Sequence, residues 1–277
     1  FVGNITYRYA LQHSRNVAAV KIADEVGMTK VIKLAKEMGI STLTDQDYNL
    51  STALGGLTHG VTPLEMVQAY GVLANGGIKV QPTAILKIVD RNGQVVEEHS
   101  IQEKRVVDEK DAAIITNMLE SVINGGTGGN AAIGRPAAGK TGTTDDSKDA
   151  WFVGYTPDLV AAVWIGDDYG SETLRGMTGG DTPAIMWGQF MANALANTPA
   201  SDFPVPSSAQ SAIAEGYFNP VKVQPKKDDK KDDKADKKDD KDKSKDEAVK
   251  DDSGSKDDAT EQKSNSSKSK KSSKKDR

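Results

Sequence analysis

"GRPAAGKTGTTDDSKDAWFVGY", residues 134–155, carries two motifs at once. Gly134, Gly139, Lys140 and Thr141 satisfy the phosphate-cradling pattern G-x-x-x-x-G-K-[ST], while Lys140-Thr141-Gly142 reads as K-T-G. The two readings demand opposite surroundings. A phosphate cradle needs a buried strand before the first glycine and a helix opening at the Lys-Thr pair, so that backbone N–H groups converge on the anion. Here "GGTGGNAAI" precedes the motif, "GTTDDSKD" follows it, and Pro136 sits inside the loop. Neither flank fits, and nucleotide binding is set aside as a chance match to a permissive pattern. K-T-G needs an edge strand with open backbone. Gly142 allows a substrate backbone to approach closely, Lys140 supplies positive charge, and Thr141 and Thr143 supply hydroxyl donors.

Working outward, three strand-like runs follow in quick succession, near 137–143, 150–156 and 159–166. Their short connections predict antiparallel neighbours. Upstream, "AILKIVDRNGQVVEEH" reads as a hairpin around Asn92-Gly93. Asp108 caps a helix expected to turn Ile115, Met118, Leu119 and Val122 inward, and this helix runs out into "NGGTGG", expected to be mobile. Thr62, Pro63 and Glu65 spell a capping box with proline in the first helical position, for a helix reaching Asn75 and stopping at Gly76-Gly77. Thr29 caps a helix with Val31, Leu34, Ala35 and Met38 on one face, ending at Gly39, and residues 40–61 read as irregular. Residues 6–26 are helical with a break near His13-Ser14. "TPAIMWGQFMANALA", residues 182–196, closes the body as an amphipathic helix. This order of elements is α+β with an antiparallel sheet.

The rest of the chain is of another kind. It has 36 basic and 40 acidic residues, of which 19 and 16 lie in residues 226–277, a stretch without aromatic, Leu, Ile or Met residues. Such a segment lacks the apolar surface to offset its ordering entropy, and it is expected to be a disordered, solvated spacer. Residues 1–225 then carry a net charge of −7, which argues against nucleic acid as a partner. Residues 201–225 read as a Pro/Ser-rich linker. Cysteine is absent, which excludes thiol catalysis and cysteine-held metal. His13, His59 and His99 show no metal-ligand spacing, and no metal or cofactor is expected. Trp151, Trp164 and Trp187 are read as packing residues. The chain opens at Phe1 inside what reads as an element, so a preceding segment with any export signal or anchor is expected.

Ser14-Arg15-Asn16 is an S-x-N triplet far upstream of Lys140. Alone it would be a helix-capping serine. In this order with K-T-G it matches a pair of elements of penicillin-interacting serine enzymes, with Arg15 where aspartate is common. The wording around both is closer still: "GNITYRYALQHSRNVAAVKIADEVG", "LGGLTHGVTPLEMVQAYGVLANGGIKVQPTAILKIVDRNG" and "AGKTGTTDDSKDAWFVGYTPDLVAAVWIGDD". These stretches resemble the transpeptidase domain of class A, bifunctional penicillin-binding proteins over roughly residues 1–200, and the charged tail resembles those of Gram-positive members.

The resemblance implies a partial serine β-lactamase/penicillin-binding fold, acting at the outer face of the cytoplasmic membrane on peptidoglycan stem peptides ending in D-Ala-D-Ala and acylated by β-lactams. It implies Ser14 in a proton relay and Asn16 hydrogen-bonded to the substrate amide. It further implies Lys140 holding the Ser14 hydroxyl, Thr141 and Thr143 on the terminal carboxylate, and the Thr143 N–H in an oxyanion hole. The family nucleophile sits in S-x-x-K upstream of S-x-N. That pattern occurs in this chain only at Ser253, Ser267 and Ser272, within the charged tail. The nucleophile is therefore expected outside these residues. A non-catalytic penicillin-recognising module, or a carboxypeptidase or β-lactamase relative passing the acyl group to water, remain as alternatives.

Overall fold

The computed structural model describes residues 3–170 and 172–215. The chain divides after Gln224 into two units, and the second lies outside the described residues, as do the S-x-x-K matches and the expected tail.

The strand-like runs form one antiparallel sheet. Its strands are β5 (Ala138–Thr143), β6 (Asp149–Tyr155) and β7 (Val160–Gly166), in the order β5-β6-β7. Lys140 pairs with Val153 and Gly142 with Trp151. Alternation along the central strand β6 sends apolar side chains to both faces, so the sheet is covered on both sides. Phe152 meets Trp187 of α6 (Thr182–Ala194), with ring centroids 5.2 Å apart. Tyr155 meets Tyr70 of α4 (Pro63–Ala74) edge-on at 6.3 Å and shares a 2.9 Å hydroxyl hydrogen bond with Thr116 of α5 (Glu109–Ile123). Trp187 is fully buried, as expected of a packing residue, whereas Trp151 and Trp164 form a half-buried cross-strand pair at 6.1 Å.

The capping box of α4 is present as read: Thr62 Oγ1 accepts from Glu65 N–H, and the Glu65 carboxylate accepts from Thr62 N–H at 2.8 Å. Glu65 also accepts from Ser41 N–H at 2.6 Å, Ser41 Oγ at 2.7 Å and Thr42 N–H at 3.1 Å. It thereby ties the start of α4 to the end of α3 (Met28–Met38). Below it Ile32, Ile40, Leu43 and Ala69 form a separate apolar cluster. Residues 40–61, expected to be irregular, contain two short 3-10 turns, Asp45–Asp47 and Leu50–Leu54, and Asp47 accepts from the backbone and hydroxyl groups of both Thr44 and Thr58.

Several expectations need correcting. Helix α3 begins at Met28 after Gly27, and its inward face is Met28, Ile32, Ala35 and, as expected, Met38; Leu34 is exposed. The i, i+4, i+7 spacing from Met28 contacts α4, and Leu34 falls outside that arc. On α5, Ile114 is buried and Ile115 is exposed at the rim of a cavity. Residues 207–214 of the expected linker form α7, where Ala209, Ala212 and Ile213 pack on Ile114 and Met118; an Ala/Ser-rich helix carries little apolar signal. The hairpin around Gly93 is present as β2 (Lys87–Val89) and β3 (Val95–Glu98). Beside it lies an unforeseen pair, β1 (Ile78–Val80) with β4 (Glu103–Arg105). Within "NGGTGG" two glycines are close-packed where a mobile stretch was expected: a Cβ at Gly126 would overlap the Gln12 carbonyl oxygen, and one at Gly128 would lie 2.9 Å from the Phe152 ring.

Candidate active site

The break near His13-Ser14 is a turn between two helices, α1 (Tyr7–Gln12) and α2 (Asn16–Val26). Thr6 caps α1, accepting from Tyr9 N–H at 3.0 Å. The chain turns when Arg15 N–H reaches back to the Ala10 carbonyl at 2.9 Å, leaving Ser14 in the left-handed region with φ +50. For a serine that conformation carries strain and lifts the side chain out of the helical path. The capping position of α2 is Arg15, with no side-chain cap bond, so Ser14 is not the helix-capping serine of the simpler reading. Arg15 itself lies over the Tyr9 ring, 5.7 Å from its centroid.

Strand β5 is an edge among the described residues, pairing only with β6. From it Lys140 reaches across 126 residues of sequence: its Nζ donates to Ser14 Oγ at 2.9 Å and to the Thr141 carbonyl at 3.0 Å. Burial pushes the Lys140 ammonium down to about 8. Ser14, Asn16, Lys140 and Thr141 line a cavity of about 790 Å³ together with apolar side chains that include Leu11, Ile22, Tyr70 and Met118. A cation, an exposed hydroxyl and an amide thus converge at the mouth of an apolar hollow. That grouping can bind an anionic peptide end and move a proton between a hydroxyl and an amine. No helix starts at Lys140-Thr141, which removes the geometric basis of the phosphate-cradle reading.

Thr141 and Thr143, two apart on β5, point to the face opposite Lys140. Thr141 Oγ1 lies 2.7 Å from Thr127 Oγ1, and Thr143 Oγ1 accepts from Gly179 N–H at 3.0 Å. Thr127 N–H in turn reaches the Gln12 carbonyl at 3.3 Å. Thr127 and Gly179 were not singled out from the sequence. The glycines around both were a usable signal, because glycine in a well-ordered turn marks close backbone approach.

A lysine on an edge strand thus faces a serine across a helix break, with helices on both faces of an antiparallel sheet. Residues 2–175 match the family described as penicillin binding protein transpeptidase domain, and the chain belongs to that family. It is 40% identical over 205 residues to a penicillin-binding protein 1A from Aquifex aeolicus, an alignment covering 74% of this chain and 28% of that protein. A Clostridium botulinum penicillin-binding protein 1A is 38% identical over 215 residues, covering 76% of this chain and 26% of the relative. Among solved structures, penicillin-binding protein 1A from Haemophilus influenzae superposes with a TM-score of 0.67 at 27% identity, over 72% of this chain and 36% of that one. The PonA1 protein from Mycobacterium tuberculosis in complex with penicillin V superposes at 0.65 and 29% identity, over 79% and 62%. The chain thus spans between a quarter and a third of the curated relatives' length.

Proposed function

We propose that this chain supplies the substrate-recognition and proton-relay half of a peptidoglycan D,D-transpeptidase site. A serine outside these 277 residues acts as the nucleophile. Its Oγ attacks the carbonyl carbon between the two D-alanines of a stem peptide. The C–N bond breaks, and the proton lost by the attacking hydroxyl reaches the departing D-alanine nitrogen through Ser14. An amine of a neighbouring strand then attacks the ester carbonyl, loses its proton by the same route in reverse, and frees the serine. Lys140 holds the Ser14 hydroxyl and adds positive potential, Asn16 bonds the substrate amide, and Thr141 and Thr143 bind the terminal carboxylate. The backbone N–H of Thr143 serves the oxyanion, where one donor is worth about 3 kcal/mol. β-Lactams would acylate the same serine.

The observation that carries this reading is the 2.9 Å bond between Lys140 and Ser14, made from an edge strand at a cavity mouth. The share of the relatives left unmatched supports further domains in the whole protein, and the resemblance to bifunctional penicillin-binding proteins implies a glycosyltransferase and a membrane anchor among them. Among the described residues no helix is long and apolar enough to cross a membrane. A Gram-positive source rests on tail composition alone, since relatives come from Gram-negative and Gram-positive bacteria alike.

Ser14→Ala in the full-length protein is the direct test. The relay predicts acylation by a penicillin slowed about 100-fold with an unchanged melting temperature. A lowered melting temperature with a normal rate would return Ser14 to a purely structural part.

A further inference from the structure

We propose that the turn Thr178–Asp181 is a positioning element that fixes the Thr143 hydroxyl as a proton donor and so sets the preference for ligands bearing a free carboxylate. This rests on the reading of Thr143 as a carboxylate-binding residue. It adds four residues that neither K-T-G nor S-x-N contains.

A threonine hydroxyl can donate or accept, and an anion is served only by donation. The Gly179 N–H, bonded to Thr143 Oγ1 at 3.0 Å, has no accepting ability and occupies one lone pair of that oxygen. The hydroxyl hydrogen must then swing away from the turn. Thr143 is exposed, so that hydrogen is offered at the edge of β5.

The turn is held for this. Asp181 accepts from Thr178 N–H at 2.8 Å and from Thr178 Oγ1 at 2.7 Å, closing it. Asn130 Nδ2 donates to the Gly180 carbonyl at 2.8 Å, tethering it to the segment after α5.

Gly179 packs on the strand backbone that separates the two threonines. A Cβ there would overlap the Trp151 carbonyl oxygen and lie 2.5 Å from the Gly142 oxygen and 2.8 Å from its nitrogen. Gly180 is equally close-fitted against the Thr127 carbonyl, and Thr127 holds Thr141. Neither glycine is in the left-handed region, so space and not backbone conformation requires them. Gly142 gains a second reason to be small: a Cβ there would press on the Trp151 side chain at 3.2 Å, on the paired strand that supports the turn.

The test compares second-order acylation rates of the full-length protein with benzylpenicillin and with its methyl ester, which lacks the anionic carboxylate. Thr143→Val is the reference and should reduce the acid-to-ester rate ratio about tenfold, the worth of one hydrogen bond to a charged group. Gly179→Ala should reduce the ratio to a similar extent. Asn130→Ala, which frees the Gly180 carbonyl without adding a Cβ, should reduce it in the same direction and decides the matter if Gly179→Ala fails to fold. If Thr143→Val lowers the ratio while the two turn variants keep it, the turn is not a positioning element and the carboxylate reading survives. Turn variants that slow acid and ester equally would show a merely structural turn and overturn the proposal. A normal ratio in Thr143→Val would remove the carboxylate reading itself.

Discussion

Glu65 and Lys140 are both charged side chains drawn inward from solvent, one in the helical lobe and one at the rim of the sheet. Glu65 accepts five hydrogen bonds, from Ser41, Thr42 and Thr62. Burial, the largest single influence, raises its carboxyl, but the donors from Thr62 and Ser41 outweigh it and hold the group down at about 2. Asp47 behaves alike: bonds from the Thr44 and Thr58 N–H groups hold it well below the usual carboxylate range. Lys140 has the reverse arrangement. Its bonds go to a serine hydroxyl and one carbonyl, it pairs with no carboxylate among the described residues, and burial pushes it down to about 8. A saturated charge fixes shape, while an undersatisfied one beside an exposed hydroxyl is available for chemistry.

The largest effect expected from that contrast is on Lys140→Ala. Acylation of the full-length protein by benzylpenicillin should fall by at least about 100-fold, with a melting temperature close to the parent's. Near-normal acylation would end the functional part of Lys140.

Glu65→Ala should do the opposite. Five donors lose their acceptor, so stability should drop by about 3 kcal/mol, read from denaturant midpoints. The acylation rate below the melting transition should stay near normal. A rate loss without a stability loss would mean that the lobe is coupled to the site.

Titration separates the two groups further. A carboxyl lowered on folding gives stability that is complete above its unfolded pKa, so the Glu65 contribution is full above about 4.5 and fades as pH falls toward about 2. Lys140 is cationic below about 8, so its contribution to carboxylate attraction should be lost as pH rises through that value. The acylation rate should show an alkaline limb there. That limb should vanish in Lys140→Arg, whose cation persists, whatever the variant's absolute rate.

The smallest effect is expected from deleting residues 226–277. With no aromatic or large aliphatic side chain besides Val249, the segment adds nothing to a core, and acylation rate and melting temperature should be unchanged. A lowered melting temperature would show that it docks.

Much of this was legible because its signals are contiguous. The capping box at Thr62-Pro63-Glu65, the Asn92-Gly93 turn and the short-linked strand-like runs that form β6 and β7 are local, and each stands in the fold. The partnership of Ser14 with Lys140 spans 126 residues, and resemblance rather than pattern brought the two together. The Gly179–Thr143 contact was illegible for a different reason: the glycines there signal a close backbone approach, but nothing in the sequence says that the N–H meets a side chain 36 residues away. Helix phase misled at Leu34 and Ile115, where one position of rotation decides between core and rim. Strands β1 and β4 have three residues each, too few to show a period.

The central claim is that Ser14 relays protons and does not itself take the acyl group, although its φ of +50 and its bond to a lysine near neutrality would also suit a nucleophile. Peptide mapping of the full-length protein after incubation with benzylpenicillin tests this most directly. The account predicts one adduct on a serine outside these 277 residues, still formed, more slowly, in Ser14→Ala. An adduct on Ser14 would contradict it.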